Sequence, residues 1–148
     1  MRNMQLASAF FLALCLTACG EKTYADGTYQ GRSADYVSEE GDEAGNGYGI
    51  VNLTISGGQI TACEYKTYEL DGTLKGEDYG KENGEIKNKD FFNKAQKARA
   101  ACDNYAQQLV AKQNVKDVDA VSGATMTSSA VIKAAKSCFN QAKADSQS

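Results

Sequence analysis

The chain has 148 residues, a formal charge of −3 and no histidine. That length fits one compact domain, and a composition of 42% hydrophobic and 24% charged residues excludes a wholly disordered chain. Mild acidity without a long Lys/Arg cluster excludes the basic footprint of a nucleic-acid-binding protein. The missing histidine removes the commonest metal ligand and general base, and with it His-ligated haem and hydrolases of the Ser-His-Asp type. Chemistry must come from hydroxyls, carboxylates, thiols or a cofactor brought from outside.

Residues 1–18 carry one positive charge, Arg2, ahead of an apolar run from Leu6 to Leu16 that is too short to span a bilayer. This pattern reads as an export signal. Its end, Leu16-Thr17-Ala18-Cys19-Gly20, resembles the bacterial lipobox, in which cleavage leaves an acylated cysteine, here Cys19, as the first mature residue and the membrane anchor. The alternative is an ordinary secretory signal with Cys19 incidental. The expected organisation is a signal over 1–18, a tether over 19–25, a domain over 26–144 and a polar tail over 145–148, working outside the cytoplasm.

Turn residues at Ala25 to Gly31 open the domain and lead into a short strand. Asp35 to Gly49 is glycine-rich and acidic, with Ser38-Glu39-Glu40-Gly41-Asp42-Glu43 at its centre. It reads as a solvated loop, with a divalent-cation site on its carboxylates as the alternative, although EF-hand spacing is absent. The clearest β signal follows, with Tyr48, Ile50, Leu53 and Ile55 in and around Gly49 to Ser56 and with Ile60, Cys63, Tyr65 and Tyr68 in Ile60 to Leu70. Gly57-Gly58 between them predicts a hairpin. Imperfect alternation leaves the register open. A second glycine-rich interval, Asp71 to Asn88, reads as a surface excursion of the kind that can border a binding site.

Asp90 is the expected N-cap of a helix running to Lys112, with Phe91, Ala95, Ala98, Cys102, Tyr105 and Leu109 on its apolar stripe. A second helix is expected from Thr127 or Ser128 to Ala142, with Val131, Ala135, Cys138 and Ala142 facing inward. These elements predict an α+β fold, a small and mostly antiparallel sheet packed by two helices. Of the mature cysteines, Cys63, Cys102 and Cys138 cannot all pair within one chain. Cys102 and Cys138 are either bonded to each other, if their helices touch, or buried thiols acting as small hydrophobes.

Between the two helices lies Asp119-Ala120-Val121-Ser122-Gly123-Ala124-Thr125-Met126-Thr127-Ser128. Hydroxyls crowded before a helix serve either as a plain N-cap or as an anion site, since free N–H groups and the helix dipole favour negative charge there.

The pattern Asp119-x-x-Ser122-Gly123-Ala124-Thr125-x-Thr127 resembles the flavinylation motif of the FMN-binding domain family. That family includes the C subunit of the sodium-pumping NADH:quinone reductase, the G subunit of the Rnf complex and lipoproteins of extracellular electron transfer. The Asp26-Gly27-Thr28-Tyr29 opening and the hairpin at Gly57-Gly58 also resemble its strands. The resemblance implies covalent FMN, placed by a flavin transferase that uses FAD, in phosphoester linkage to Thr125, with Thr127 as runner-up acceptor. It implies redox partner proteins or extracellular acceptors, and an electron carrier in preference to an enzyme with its own substrate.

A phosphoester at Thr125 would place negative charge at the mouth of the second helix, where Gly123 lets the backbone approach and Ser122, Thr127 and Ser128 can donate hydrogen bonds or cap. Asp119 is expected to hold the turn by an Asx-type bond, or to position a metal during modification. Tyr48, Tyr65, Tyr68 and Tyr105 are candidates either for ring contacts or for core packing. Two other functions compete with the electron carrier: a surface binding or sensing module of the same fold without flavin, and a hydrolase or transferase using these hydroxyls. The last lacks both histidine and a Ser-x-x-Lys.

Overall fold

The structure, a computed structural model, describes residues 24–39 and 45–148. The export signal, Cys19, the tether up to residue 23 and the acidic run at 40–44 lie outside these residues. Three strands, β1 (Gly27–Arg32), β2 (Tyr48–Ser56) and β3 (Gln59–Tyr68), form an antiparallel sheet in the order β1-β2-β3. Two helices, α1 (Lys89–Lys112) and α2 (Thr125–Asp145), pack on it, α1 against β3 and α2 against β1 and β2. This is the expected α+β arrangement.

Gly57-Gly58 supply the two-residue turn between β2 and β3, which pair from Ser56 and Gln59 onward. In β2 the buried positions are Gly49, Val51, Leu53 and Ile55, so Tyr48 and Ile50 stand on the opposite face from Leu53 and Ile55. Gly49 has no side chain to mark its face, and this hid the register from the sequence. In β3, Ile60 and Tyr65 are both buried although they stand five positions apart, an odd offset that strict alternation would put on opposite faces. A register shift at Thr54/Ile55, where Thr54 pairs with Ala62 and Ile55 with Ile60, inserts one residue and brings both side chains to the core.

The core joins Val51, Leu53 and Ile55 of β2 to Tyr105 and Leu109 of α1 and to Val131 and Cys138 of α2. Each fully buried large apolar side chain contributes about 1.5–3 kcal/mol. The alanine content of α2 reflects its closeness to the sheet: a Cβ on Gly31 would stand 1.9 Å from the Ala134 carbonyl oxygen. Ala134, Ala135 and Ala142 are wholly buried.

Both helix starts differ from expectation. Asn88, not Asp90, caps α1, its Oδ1 accepting from Phe91 N–H at 3.0 Å. Asp90 sits in the first turn, where the dipole favours a carboxylate. The second helix starts at Thr125, not at Thr127 or Ser128. Its N-cap is Ala124, with no side-chain capping bond, and Thr127 and Ser128 are buried within the first turn. Cys63, Cys102 and Cys138 are free thiols, Cys102 and Cys138 buried and Cys63 half-buried. Burial raises Cys102 and Cys138 to about 11 and Cys63 to about 12. They are small hydrophobes, not a disulfide.

Candidate functional site

The chain between the helices makes a tight turn, closed by a bond from Ala124 N–H to the Val121 carbonyl at 3.0 Å. Ser122 and Gly123 form its corner. Gly123 has φ 78°, the conformation that a type II turn requires at its third position and that a side chain disfavours. A Cβ there would meet no protein atom within 4 Å, so backbone conformation and not packing calls for glycine.

Two buried tyrosines hold this turn and the helix start behind it. Val121 N–H donates to the Tyr105 hydroxyl at 2.8 Å, and that hydroxyl donates to the Ala124 carbonyl at 3.3 Å. The Tyr65 hydroxyl donates to the Thr127 carbonyl at 2.8 Å. The two rings meet edge to face, with centroids 6.5 Å apart. Tyr65 and Tyr105 thus belong to the core and reach the motif only through their hydroxyls, whose partners answer the need of a buried phenol. Burial pushes the Tyr65 phenol well above its ordinary value and keeps it a donor.

Gln108 and Lys112 extend the clamp. They share a helix face with Tyr105 by their spacing of three and four, a signal the sequence carried and the apolar stripe obscured. Gln108 accepts from Asp119 N–H at 2.7 Å and donates to its carbonyl at 3.1 Å. Lys112 Nζ bonds the Asp119 carboxylate at 2.6 Å and the Asp117 carbonyl at 2.7 Å. The Asp119 carboxylate therefore anchors the approach to α1 by an ion pair instead of closing an Asx turn.

The result is an exposed Thr125 side chain at the first residue of α2. The N–H groups of Thr125, Met126 and Thr127 have no intrahelical acceptor, and no side chain caps them. Gly123, Ala124, Thr125 and Thr127 line a groove of about 1070 Å³, the upper end of the roughly 300–1,000 Å³ range of small-molecule clefts. Ser122 and Asp119 are exposed and Ser128 is buried, and all three stand off the groove wall.

The groove is also lined by Tyr36, Tyr48 and Phe91, with Lys75, Lys81, Lys94 and Arg99 supplying positive charge. Tyr48 is stacked on Tyr68 at 5.4 Å, and the Arg32 guanidinium lies 3.7 Å from its centroid. The interval from Asp71 to Asn88 borders the groove, contributing Lys75, Tyr79, Gly80 and Lys81 to it. These residues carried no motif; only the length and glycine content of their loop pointed to them.

Residues 45–140 match the FMN-binding domain. The chain belongs to the FMN-binding domain family. The match takes in the groove wall from Gly47 to Ala130 together with both clamping tyrosines. The crystal structure of the CPE2226 protein from Clostridium perfringens superposes on this FMN-binding domain with a TM-score of 0.59 at 20% sequence identity, covering 82% of this chain and 91% of that one. The likeness is one of fold. No curated protein sequence matches the chain.

The groove suits FMN. The uncapped α2 N-terminus, with Gly123 facing open space beside it, is a place for the phosphate, and the wall of Tyr36, Tyr48, Phe91 and Met126 offers apolar surface to a flat ring. The wall carries four cations, Lys75, Lys81, Lys94 and Arg99, and three carboxylates, Glu69, Glu82 and Asp90. Among the described residues, no cluster of His, Cys, Asp or Glu has metal-ligand geometry, and no helix is long and apolar enough to cross a membrane.

Proposed function

We propose that this FMN-binding domain is a lipid-anchored, extracytoplasmic flavoprotein that carries FMN as a phosphoester on Thr125 and passes electrons between partners without a substrate of its own. The observation that carries this reading is the exposed Thr125 hydroxyl at an uncapped helix start on the groove wall, inside the segment that matches the family. Thr127, the other acceptor in the motif, is only 9% exposed. Access favours Thr125.

In attachment, Thr125 Oγ1 forms a bond to the flavin-side phosphorus of FAD, the phosphoanhydride breaks, AMP leaves and the hydroxyl proton passes to a base of the flavin transferase. Bound FMN supplies reversible electron-transfer chemistry. The chain's own residues do the holding: α2 N–H groups take the phosphate charge, Gly123 leaves the approach clear, and Tyr105 and Tyr65 fix the helix start from beneath. The aromatic wall limits solvent at the ring. Covalent attachment suits an exported protein, because a dissociating cofactor would be lost by dilution. Acylation at Cys19 after export would keep the domain at the membrane surface near its redox partners.

Co-expression with a flavin transferase tests the attachment. Wild type and Thr127→Ala are expected to be yellow after denaturation and gel filtration, and Thr125→Ala colourless. Colour retained by Thr125→Ala would sink the assignment. In cells, Cys19→Ser is expected to move the protein from the membrane fraction to the soluble exported fraction, and continued membrane association would count against the anchor.

A further inference from the structure

The four cations on the groove wall are not equivalent. Lys81 is paired with Asp78 at 2.7 Å, Arg99 bonds the Gln96 side chain at 2.9 Å, and Lys94 is exposed. Lys75 differs from all three. Its backbone N–H bonds the Thr67 carbonyl at 2.9 Å, tying its loop to the end of β3. Its Nζ donates to the Asn46 carbonyl at 2.6 Å and stands 4.7 Å from the Tyr79 ring centroid. It passes close to Gly47, where a Cβ would lie 2.0 Å from the Tyr68 carbonyl oxygen and 3.1 Å from Nζ. Among the described residues no carboxylate lies within ion-pair distance of it. Lys75 is half-buried, and burial draws its ammonium below the ordinary lysine value, with Glu69 opposing. A half-buried charge in a fixed position, with no described carboxylate in contact, acts on its surroundings with less screening than a solvated one.

We propose that Lys75 sets the reduction potential of the flavin in this groove, raising it by stabilising the negative charge that reduction adds. The inference rests on the reading that FMN is carried here. Two-electron, one-proton reduction, with dithionite as reductant, leaves one additional negative charge on an isoalloxazine at neutral pH. A cation held on the wall favours that state over the oxidised one. Lys75 acts through space as a tuning residue and transfers nothing. Glu69, on the same wall, acts with the opposite sign.

The test is the midpoint potential of covalently loaded protein, measured by spectroelectrochemical titration. Lys75→Met is expected to lower it by at least a tenfold shift in the oxidised-to-reduced equilibrium, about 30 mV for a two-electron couple. Lys75→Arg should stay near wild type, and Glu69→Gln should move the potential upward. Lys136→Met, which removes the same charge from an exposed position off the groove wall, should leave it unchanged. Loaded Lys75→Met with the wild-type potential, or Glu69→Gln shifting downward, overturns the inference and leaves the attachment standing. Wild type that acquires no covalent flavin overturns both.

Discussion

Tyr105 donates its hydroxyl proton to the Ala124 carbonyl at 3.3 Å while accepting from Val121 N–H at 2.8 Å. One buried oxygen thus satisfies both ends of the turn that presents Thr125. Tyr105→Phe keeps the ring in the core and leaves the Val121 N–H without its partner, at a cost of about 1–3 kcal/mol. Urea denaturation should show that loss. The fraction of protein modified by the transferase should fall with it, because the helix start is no longer fixed. Tyr65→Phe, which frees the Thr127 carbonyl, should act in the same direction and less strongly, since a carbonyl tolerates under-satisfaction better than an N–H.

Gly123→Ala isolates the backbone term. With φ 78° and no protein atom near its Cβ position, the substitution introduces no clash and costs about 1–2 kcal/mol of left-handed strain. Gly123→Asn should recover part of that stability, because asparagine tolerates this conformation. Equal loss in both variants, measured by thermal unfolding, would contradict the assignment of glycine to conformation.

Asp119 separates stability from modification. Its ion pair with Lys112 is 84% exposed on the carboxylate side, and such pairs contribute about 0–1 kcal/mol. Asp119→Ala should therefore unfold within about 1 kcal/mol of wild type. Its modification by the transferase should nonetheless drop sharply, which the flavin-to-protein absorbance ratio reads directly. Full modification would confine Asp119 to a structural role.

The buried thiols predict alkaline sensitivity. Burial raises Cys102 and Cys138 from 9.0 to about 11, so above pH 9 the unfolded chain loses thiol protons that the folded chain retains. Stability is full below about pH 9 and falls as pH rises towards about 11, by on the order of 2 kcal/mol for Cys102 alone. Melting temperature should decline across that window, and less steeply in Cys102→Ala. Neither thiol should react with iodoacetamide in the native protein at pH 7.

What could be read from the sequence divides along physical lines. The Gly57-Gly58 hairpin, the α2 stripe of Val131, Ala135, Cys138 and Ala142, and the sheet-and-two-helix class follow from local turn chemistry and periodicity. The α2 boundary does not. Ser and Thr are favoured caps, which pointed to Thr127 or Ser128, yet tertiary bonds from Tyr65 and Tyr105 set the start at Thr125 with alanine as N-cap. Gly49 and the Thr54/Ile55 register shift concealed strand register for a similar reason, since neither leaves a mark on apolar alternation. Gln108 and Lys112 share the helix face of Tyr105 by spacing, but their partners lie in a separate segment that spacing does not identify, and no local pattern marks Lys75.

The most direct test of the central claim is fragmentation mass spectrometry of the tryptic peptide spanning 117–133, which contains both candidate threonines, from protein made alongside a flavin transferase. Attachment at Thr125 predicts a peptide heavier by FMN less one water, with fragment ions that separate at Met126 and place the added mass on Thr125. An unmodified peptide, or the added mass on Thr127, would contradict it.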